Sequence, residues 1–138
     1  MNLKISTDKS KLNISLIHDF LNKESYWAKG ISLTIVEQSI INSLCFGVYD
    51  DNEQIGFARV ITDYATFAYL ADVFILPAYR GQGISKKLMG YIISQAELQG
   101  LRRWMLATAD AHGLYEQFGF TPLGHPERFM EIKKQNVY

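Results

Sequence analysis

Residues 80–85, Arg80-Gly81-Gln82-Gly83-Ile84-Ser85, have the types and spacing to hold an anion. The run Leu70-Ala71-Asp72-Val73-Phe74-Ile75-Leu76 just before them reads as a buried strand, broken by Pro77-Ala78-Tyr79. After them Ile84, Leu88, Tyr91, Ile92 and Ala96 recur at helical spacing. The glycines therefore sit where a strand turns into a helix. A helix N-terminus carries unpaired N–H groups and partial positive charge. Gly81 and Gly83 lack a Cβ, so an anion can come close to the backbone. Lys86 and Lys87 add positive charge, and a phosphate or pyrophosphate is the expected guest.

The rest of the chain must position this loop. Leu3 to Ser6 alternates as a short strand, and Asp8 or Ser10 is placed to cap a helix with Leu12, Leu16, Ile17, Phe20 and Leu21 on one face. An aromatic loop, Ser25-Tyr26-Trp27-Ala28-Lys29-Gly30, follows. Thr34 and Glu37 have capping-box spacing for a second helix that carries Val36, Ile40 and Leu44. Cys45–Tyr49 and Ile55–Ile61 read as strands joined by the polar turn Asp50 to Glu53. Residues 66–76 form the long strand before the loop. The helix after the loop is expected to run to Gly100, and residues 102–108 form the next strand. These last two strands, joined through a helix, should be parallel, and the earlier ones antiparallel. A short helix over 111–118 and two closing strands, Phe120–Leu123 and Phe129–Ile132, complete the chain, with residues 133–138 frayed. The expected fold is α/β (α+β): one domain over residues 1–138, with a mixed, mostly antiparallel sheet, a central parallel strand pair and helices on both faces.

Three anion motifs can be weighed against the loop. No stretch matches a Walker sequence. A dinucleotide fingerprint needs a third glycine where Lys86 stands. A coenzyme A loop, Q/R-x-x-G-x-G/A, matches Arg80 and Gly83, with Ser85 at the last small position. The stretch from Asp72 to Ile84 resembles the GNAT superfamily of N-acetyltransferases, and Tyr115-Glu116-Gln117-Phe118-Gly119-Phe120 resembles that family's Y-x-x-x-G-F ending. An Asn common in the family near the start of that helix is replaced by Thr108.

This resemblance implies acetyl transfer from acetyl-coenzyme A to an amine, with a non-catalytic acyl-coenzyme A binding module as the alternative. It implies cofactor contacts from Val73, Phe74 and Ile75 on the strand, and from Arg80, Gly81, Gln82, Gly83, Ile84 and Ser85 in the loop. The strand contacts require the two parallel strands to part near Val73. An attacking amine must be neutral, and Asp72 is the carboxylate nearest in sequence to serve it. The other reading of Asp72 is an ion pair with Arg59. A backbone N–H near Val73 would serve the developing oxyanion. Tyr115 occupies the family position of the acid for the leaving thiolate; the other reading is a ring packed beneath the cofactor. By the same analogy Tyr26 and Trp27 touch the acceptor, or else close the end of the core.

Composition narrows the partners. Lys plus Arg and Asp plus Glu number 14 each, without the basic excess of a nucleic-acid binder. No apolar run approaches the ~18 residues of a membrane span. His18, His112 and His125 lack metal-ligand spacing, so no metal is expected. Cys45, the single cysteine, sits in an apolar strand and reads as core. The expected setting is cytoplasmic, with an amine acceptor as partner, no nucleic acid, no membrane, and a homodimer left open.

Overall fold

The computed structural model describes all residues, 1–138. Five strands form one sheet in the order β1-β2-β3-β4-β5. They are β1 (Leu3–Ser6), β2 (Leu44–Asp50), β3 (Glu53–Thr62), β4 (Phe67–Ile75) and β5 (Arg103–Leu106). The first four pair antiparallel, while β4 and β5 run parallel as expected for strands joined through a helix. The helices are α1 (Ile14–Asp19), α2 (Leu33–Ile41), α3 (Ile84–Ile93) and α4 (His112–Glu116). A wider π-type turn, Phe20–Glu24, extends α1.

Strand alternation divides the core into two layers. On one face Phe46, Val48, Ala58, Val60 and Leu70 pack with Leu88, Met89 and Ile92 of α3, and Tyr115 of α4. On the other face Phe57 and Phe74 pack with Ile17, Phe20, Leu21 and Val36. Phe20 stacks on Phe74 with ring centroids 4.0 Å apart, fastening the π-type turn to β4. Helices therefore cover both faces of the sheet.

Four local expectations are corrected. Ser32, not Thr34, caps α2: its hydroxyl accepts from the Ile35 N–H at 3.3 Å. The capping box placed the helix start two residues late. Asp8 caps only a single turn at Lys9–Lys11, while Asn13 caps α1 by accepting from the Leu16 N–H at 3.1 Å. Helix α3 stops at Ile93, well short of Gly100. Ser94 and Gln95 turn their side chains back onto the Tyr91 carbonyl, and a separate turn, Ala96–Leu98, makes the connection. Finally, Phe120–Leu123 and Phe129–Ile132 are not strands. Phe120 packs edge-on against Trp104 and Tyr115, Pro126 opens a tight turn, and the Arg103 guanidinium lies 5.0 Å from the Phe129 ring centre. Side-chain contacts place this segment without a backbone ladder, so the parallel pair stands at an edge of the sheet and not at its centre.

Tyr49 has the one sealed side-chain oxygen without a hydrogen-bond partner. Burial pushes its phenol pKa up. A buried hydroxyl left unpaired is a desolvation cost without a return bond. Tyr49→Phe should therefore keep the fold and gain about 1 kcal/mol in urea denaturation; a loss of that size would mean that the hydroxyl is paired.

Candidate active site

Strands β4 and β5 start side by side and then part. Their register runs from Phe67 opposite Arg103 to Leu70 opposite Leu106, where β5 ends. β4 continues five residues further, to Ile75, paired only with β3. The Leu76 N–H donates to the Ile55 carbonyl at 2.8 Å, so Leu76 and, two residues back, Phe74 turn their backbone groups toward β3. By alternation, Val73 and Ile75 turn theirs into the gap. The expected splay is present, and it begins just before Val73.

A bulge accompanies the parting. Phe57 lies opposite Phe74 but Arg59 opposite Ala71, so β4 spends three steps where β3 spends two. Asp72 takes up the extra residue with φ +54°, in the left-handed region that Asp tolerates better than most residues. The bulge decides a question that alternation alone leaves open. Asp72 faces the α1–α2 side and Val73 the α3 side.

The anion loop follows from the end of β4. The Arg80 Nε donates to the Ile75 carbonyl at 3.0 Å, which ties the loop to the strand and uses one of the groups in the gap. Gly81 and Gly83 have φ +78° and +77°. Gly83 is the residue before α3, and its carbonyl receives the first helical bond, from the Lys87 N–H at 3.2 Å. The amides of Ile84, Ser85 and Lys86 precede that bond and point outward as unpaired donors. A Cβ on either glycine would meet nothing of the chain within 4 Å, so the space above the loop is open. Lys86 and Lys87 are exposed beside it.

Tyr115 lies under the gap, 8% exposed. Burial, then the nearby Tyr26 and Asp110, push its phenol pKa up to about 12. Its oxygen takes no part in the hydrogen bonds of the chain and is not among the sealed unpartnered atoms, so it keeps an opening. Tyr26 and Trp27 stand over the far side of the gap. The Tyr26 Oη accepts from the Ala109 N–H at 2.9 Å, beyond β5, and the Trp27 Nε1 donates to Asp72 Oδ1 at 2.8 Å, on β4. Asp72 Oδ2 accepts from Arg59 Nε at 2.9 Å.

Residues 14–120 match the model of the acetyltransferase (GNAT) family. A GNAT-family protein from Xanthomonas campestris pv. campestris has a solved structure that superposes with a TM-score of 0.97 at 52% identity, covering 100% of this chain and 97% of its own. A Gibberella zeae protein named as an acetyltransferase is 33% identical over 133 residues, 80% of this chain and 74% of its own. A Haemophilus influenzae enzyme that acetylates an alanine of ribosomal protein bS18 is 36% identical over 76 residues, about half of each chain. The chain belongs to the GNAT acetyltransferase family.

Within this acetyltransferase, Trp27 bonds to Asp72 and Tyr26 to Ala109, Arg80 ties the 80–85 loop to Ile75, Val73 and Ile75 lie past the last β4–β5 pair, and Tyr115 lies near Tyr26. Phe74 is turned away into the core against Phe20 and Phe57. Three other reactive side chains are spent on the scaffold. Asp63 accepts from the Ala65, Thr66 and Phe67 amides and from the Thr66 hydroxyl, and these bonds hold its carboxyl well below the usual range; it ties the β3–β4 turn. The Cys45 thiol is pushed up to about 11 by burial, which makes it a core residue and not a nucleophile. Thr108, at the family's Asn position, accepts from the Ala111 N–H at 3.1 Å and so braces the start of α4. Ala109 escaped the sequence reading, because only its backbone acts and no residue type signals it.

The Tyr115 phenol makes the site measurable at alkaline pH. Its folded pKa is raised, so the unfolded chain loses the proton first, near pH 10. Stability should therefore fall as pH rises from 10 toward 12. In urea melts across that window, Tyr115→Phe should show a shallower decline than the parent; equal slopes would place the phenol in water.

Proposed function

We propose that this enzyme transfers an acetyl group from acetyl-coenzyme A to a primary amine of a small molecule or peptide, by direct attack on the thioester. The observation that carries this reading is the parting of β4 and β5 beside a helix N-terminus. An extended amide-bearing arm fits the free groups of Val73 and Ile75 as an added strand would, and a pyrophosphate fits the loop at its end. The family's use of acetyl-coenzyme A gives that combination its guest.

Bound acetyl-coenzyme A supplies the acetyl group as a thioester. The loop from Arg80 to Ser85 holds the pyrophosphate through the amides of Ile84, Ser85 and their neighbours, with Gly81, Gln82 and Gly83 keeping the approach open. Val73 and Ile75 align the arm, and Phe74 keeps the strand anchored to the core. The Val73 N–H donates to the acyl oxygen where negative charge develops. The C–N bond forms as the C–S bond breaks, the proton lost by the amine balances the thiolate that leaves, and Tyr115 offers its phenol O–H to that sulfur. A phenol of pKa about 12 is a weaker acid than an ordinary thiol, about 8.5 for cysteine. Tyr115 therefore contributes chiefly a hydrogen bond to the sulfur in the transition state. Tyr26 and Trp27 border the side from which the amine enters. The bS18 enzyme's acceptor is a protein alanine, and the peptide arm of this proposal rests on that relative.

Two outcomes test it. Calorimetric titration should show acetyl-coenzyme A binding to the parent and at least a tenfold weaker affinity for Gly83→Val, whose side chain meets both the φ +77° backbone and the anion's approach; unchanged affinity would move the pyrophosphate elsewhere. Tyr115→Phe should bind within a few-fold of the parent, and in single turnover with an amine found by thiol release its chemical step should slow by about 100-fold. A parental rate would leave Tyr115 as packing alone.

A further inference from the structure

Both oxygens of the Asp72 carboxylate are already hydrogen-bonded within the chain. Oδ1 accepts from the Trp27 indole at 2.8 Å and Oδ2 from the Arg59 Nε at 2.9 Å. Its side chain is 11% exposed, and that of Arg59 is 16% exposed. The Arg59 Nη1 in turn donates to the Ser43 hydroxyl at 3.1 Å, just before β2. The chain of bonds thus runs from the start of β2 through β3 and the β4 bulge to the loop between α1 and α2. A second tether meets it there. Tyr26 accepts from the Ala109 N–H, and the Tyr26 and Trp27 rings meet edge to face with centroids 5.0 Å apart. Ser25 braces the base of the loop by donating to the Leu21 carbonyl at 2.6 Å and accepting from the Ala28 N–H at 3.0 Å. Two aromatic rings are thereby pinned to β4 and to the segment that follows β5. Yet Tyr26 is 57% exposed and Trp27 41%. Rings held this firmly with so much face open form a wall, not a core.

We propose that Asp72 is a positioning residue, not the base: held by Arg59, its carboxylate fixes Trp27, and with it the Tyr26–Trp27 strap, as a rigid aromatic wall of the acceptor entrance. The bulge provides the means, because the left-handed turn at Asp72 swings the carboxylate onto the Arg59 face. On the opposite edge of β4, the pairing with β5 ends at Leu70, two residues before the bulged Asp72. Strand parting and strap placement thus lie side by side. The acceptor role of the wall rests on the acetyltransferase reading; the lock between Asp72 and Trp27 does not.

The experiment separates the two. The chain has two tryptophans, Trp27 and Trp104, so two indole N–H resonances report on it. In the parent, the Trp27 indole should be protected from solvent exchange. In Asp72→Ala its exchange should quicken at least about tenfold, the loss expected for a hydrogen bond to a charged group. Unchanged exchange in a folded Asp72→Ala protein overturns the lock, whatever the enzyme transfers. The second measurement is steady-state acetylation of the best primary amine in a panel. Trp27→Phe keeps an aromatic, if smaller, side chain and removes the N–H; both it and Asp72→Asn should raise the acceptor KM about tenfold, leave the KM for acetyl-coenzyme A within twofold, and keep the parental inflections of kcat/KM against pH. If Asp72→Asn instead lowers kcat and erases the acidic limb with acceptor KM unchanged, Asp72 is the base and the proposal fails. Should Asp72 variants not fold, Trp27→Phe alone decides: a parental acceptor KM overturns the wall. A parent that binds no acetyl-coenzyme A would defeat the transfer reading and leave the indole measurement standing.

Discussion

Backbone groups that no strand pairs are the constraint around which this molecule is built. Within a sheet, an unpaired N–H or C=O shut away from water is costly, so ladders normally run to the end of both strands. Here β5 stops at Leu106 while β4 runs on to Ile75. The groups of Val73 and Ile75 stay open to a gap instead of being sealed. Arg80 answers part of that demand by donating to the Ile75 carbonyl, and the loop it belongs to delivers the first free amides of α3 to the same place. A guest that is both amide-bearing and anionic satisfies both sets of groups at once.

The packing explains why the gap does not collapse. Phe74 stacks on Phe20 and lies near Phe57, so β4 is held from the α1 side even where β5 has left it. Tyr115 and Ile84 belong to the core layer on the α3 side. The ion pair of Arg59 and Asp72 sits between β3 and the loop above. Such a pair gives little net stability when intact, but leaving one partner alone in a half-buried setting is expensive. The exposed pair of Lys23 and Asp19, at 3.5 Å, is by contrast a surface contact worth on the order of 0–1 kcal/mol. The charges that matter for shape are therefore few, and those on β3 and β4 stand beside the site.

Burial sets the acidity of one group and hydrogen-bond partners that of another. Tyr115 is kept protonated chiefly because it is buried, and Asp63 is kept ionised because four hydrogen bonds converge on it in a turn. Residue type is a poor guide to such roles: Asp63 is spent on a turn and Cys45 on the core, whereas the Ala109 amide, with no side-chain chemistry, holds one end of the strap.

The sequence by itself determined the features that depend on near neighbours. Strand alternation, the break at Pro77, the two glycines and the apolar spacing of Ile84, Leu88 and Ile92 specify a strand, an anion loop and a helix in order, because φ preferences and side-chain periods act over a few residues. The parallel pairing of β4 and β5 follows from the helix between them. Tertiary structure decided what depends on distant partners. Ser32 rather than Thr34 begins α2, although both are good caps, and the helix so started buries Val36 and Ile40. Phe120–Leu123 and Phe129–Ile132 alternate like strands, but their aromatic rings find Trp104, Tyr115 and Arg103 before their backbones find β5. Asp72 has the composition of a base, and only a bulge at its own position, set by the register of β3 against β4, gives it to Arg59 and Trp27. Register is a property of two strands together, and no local pattern in either one records it.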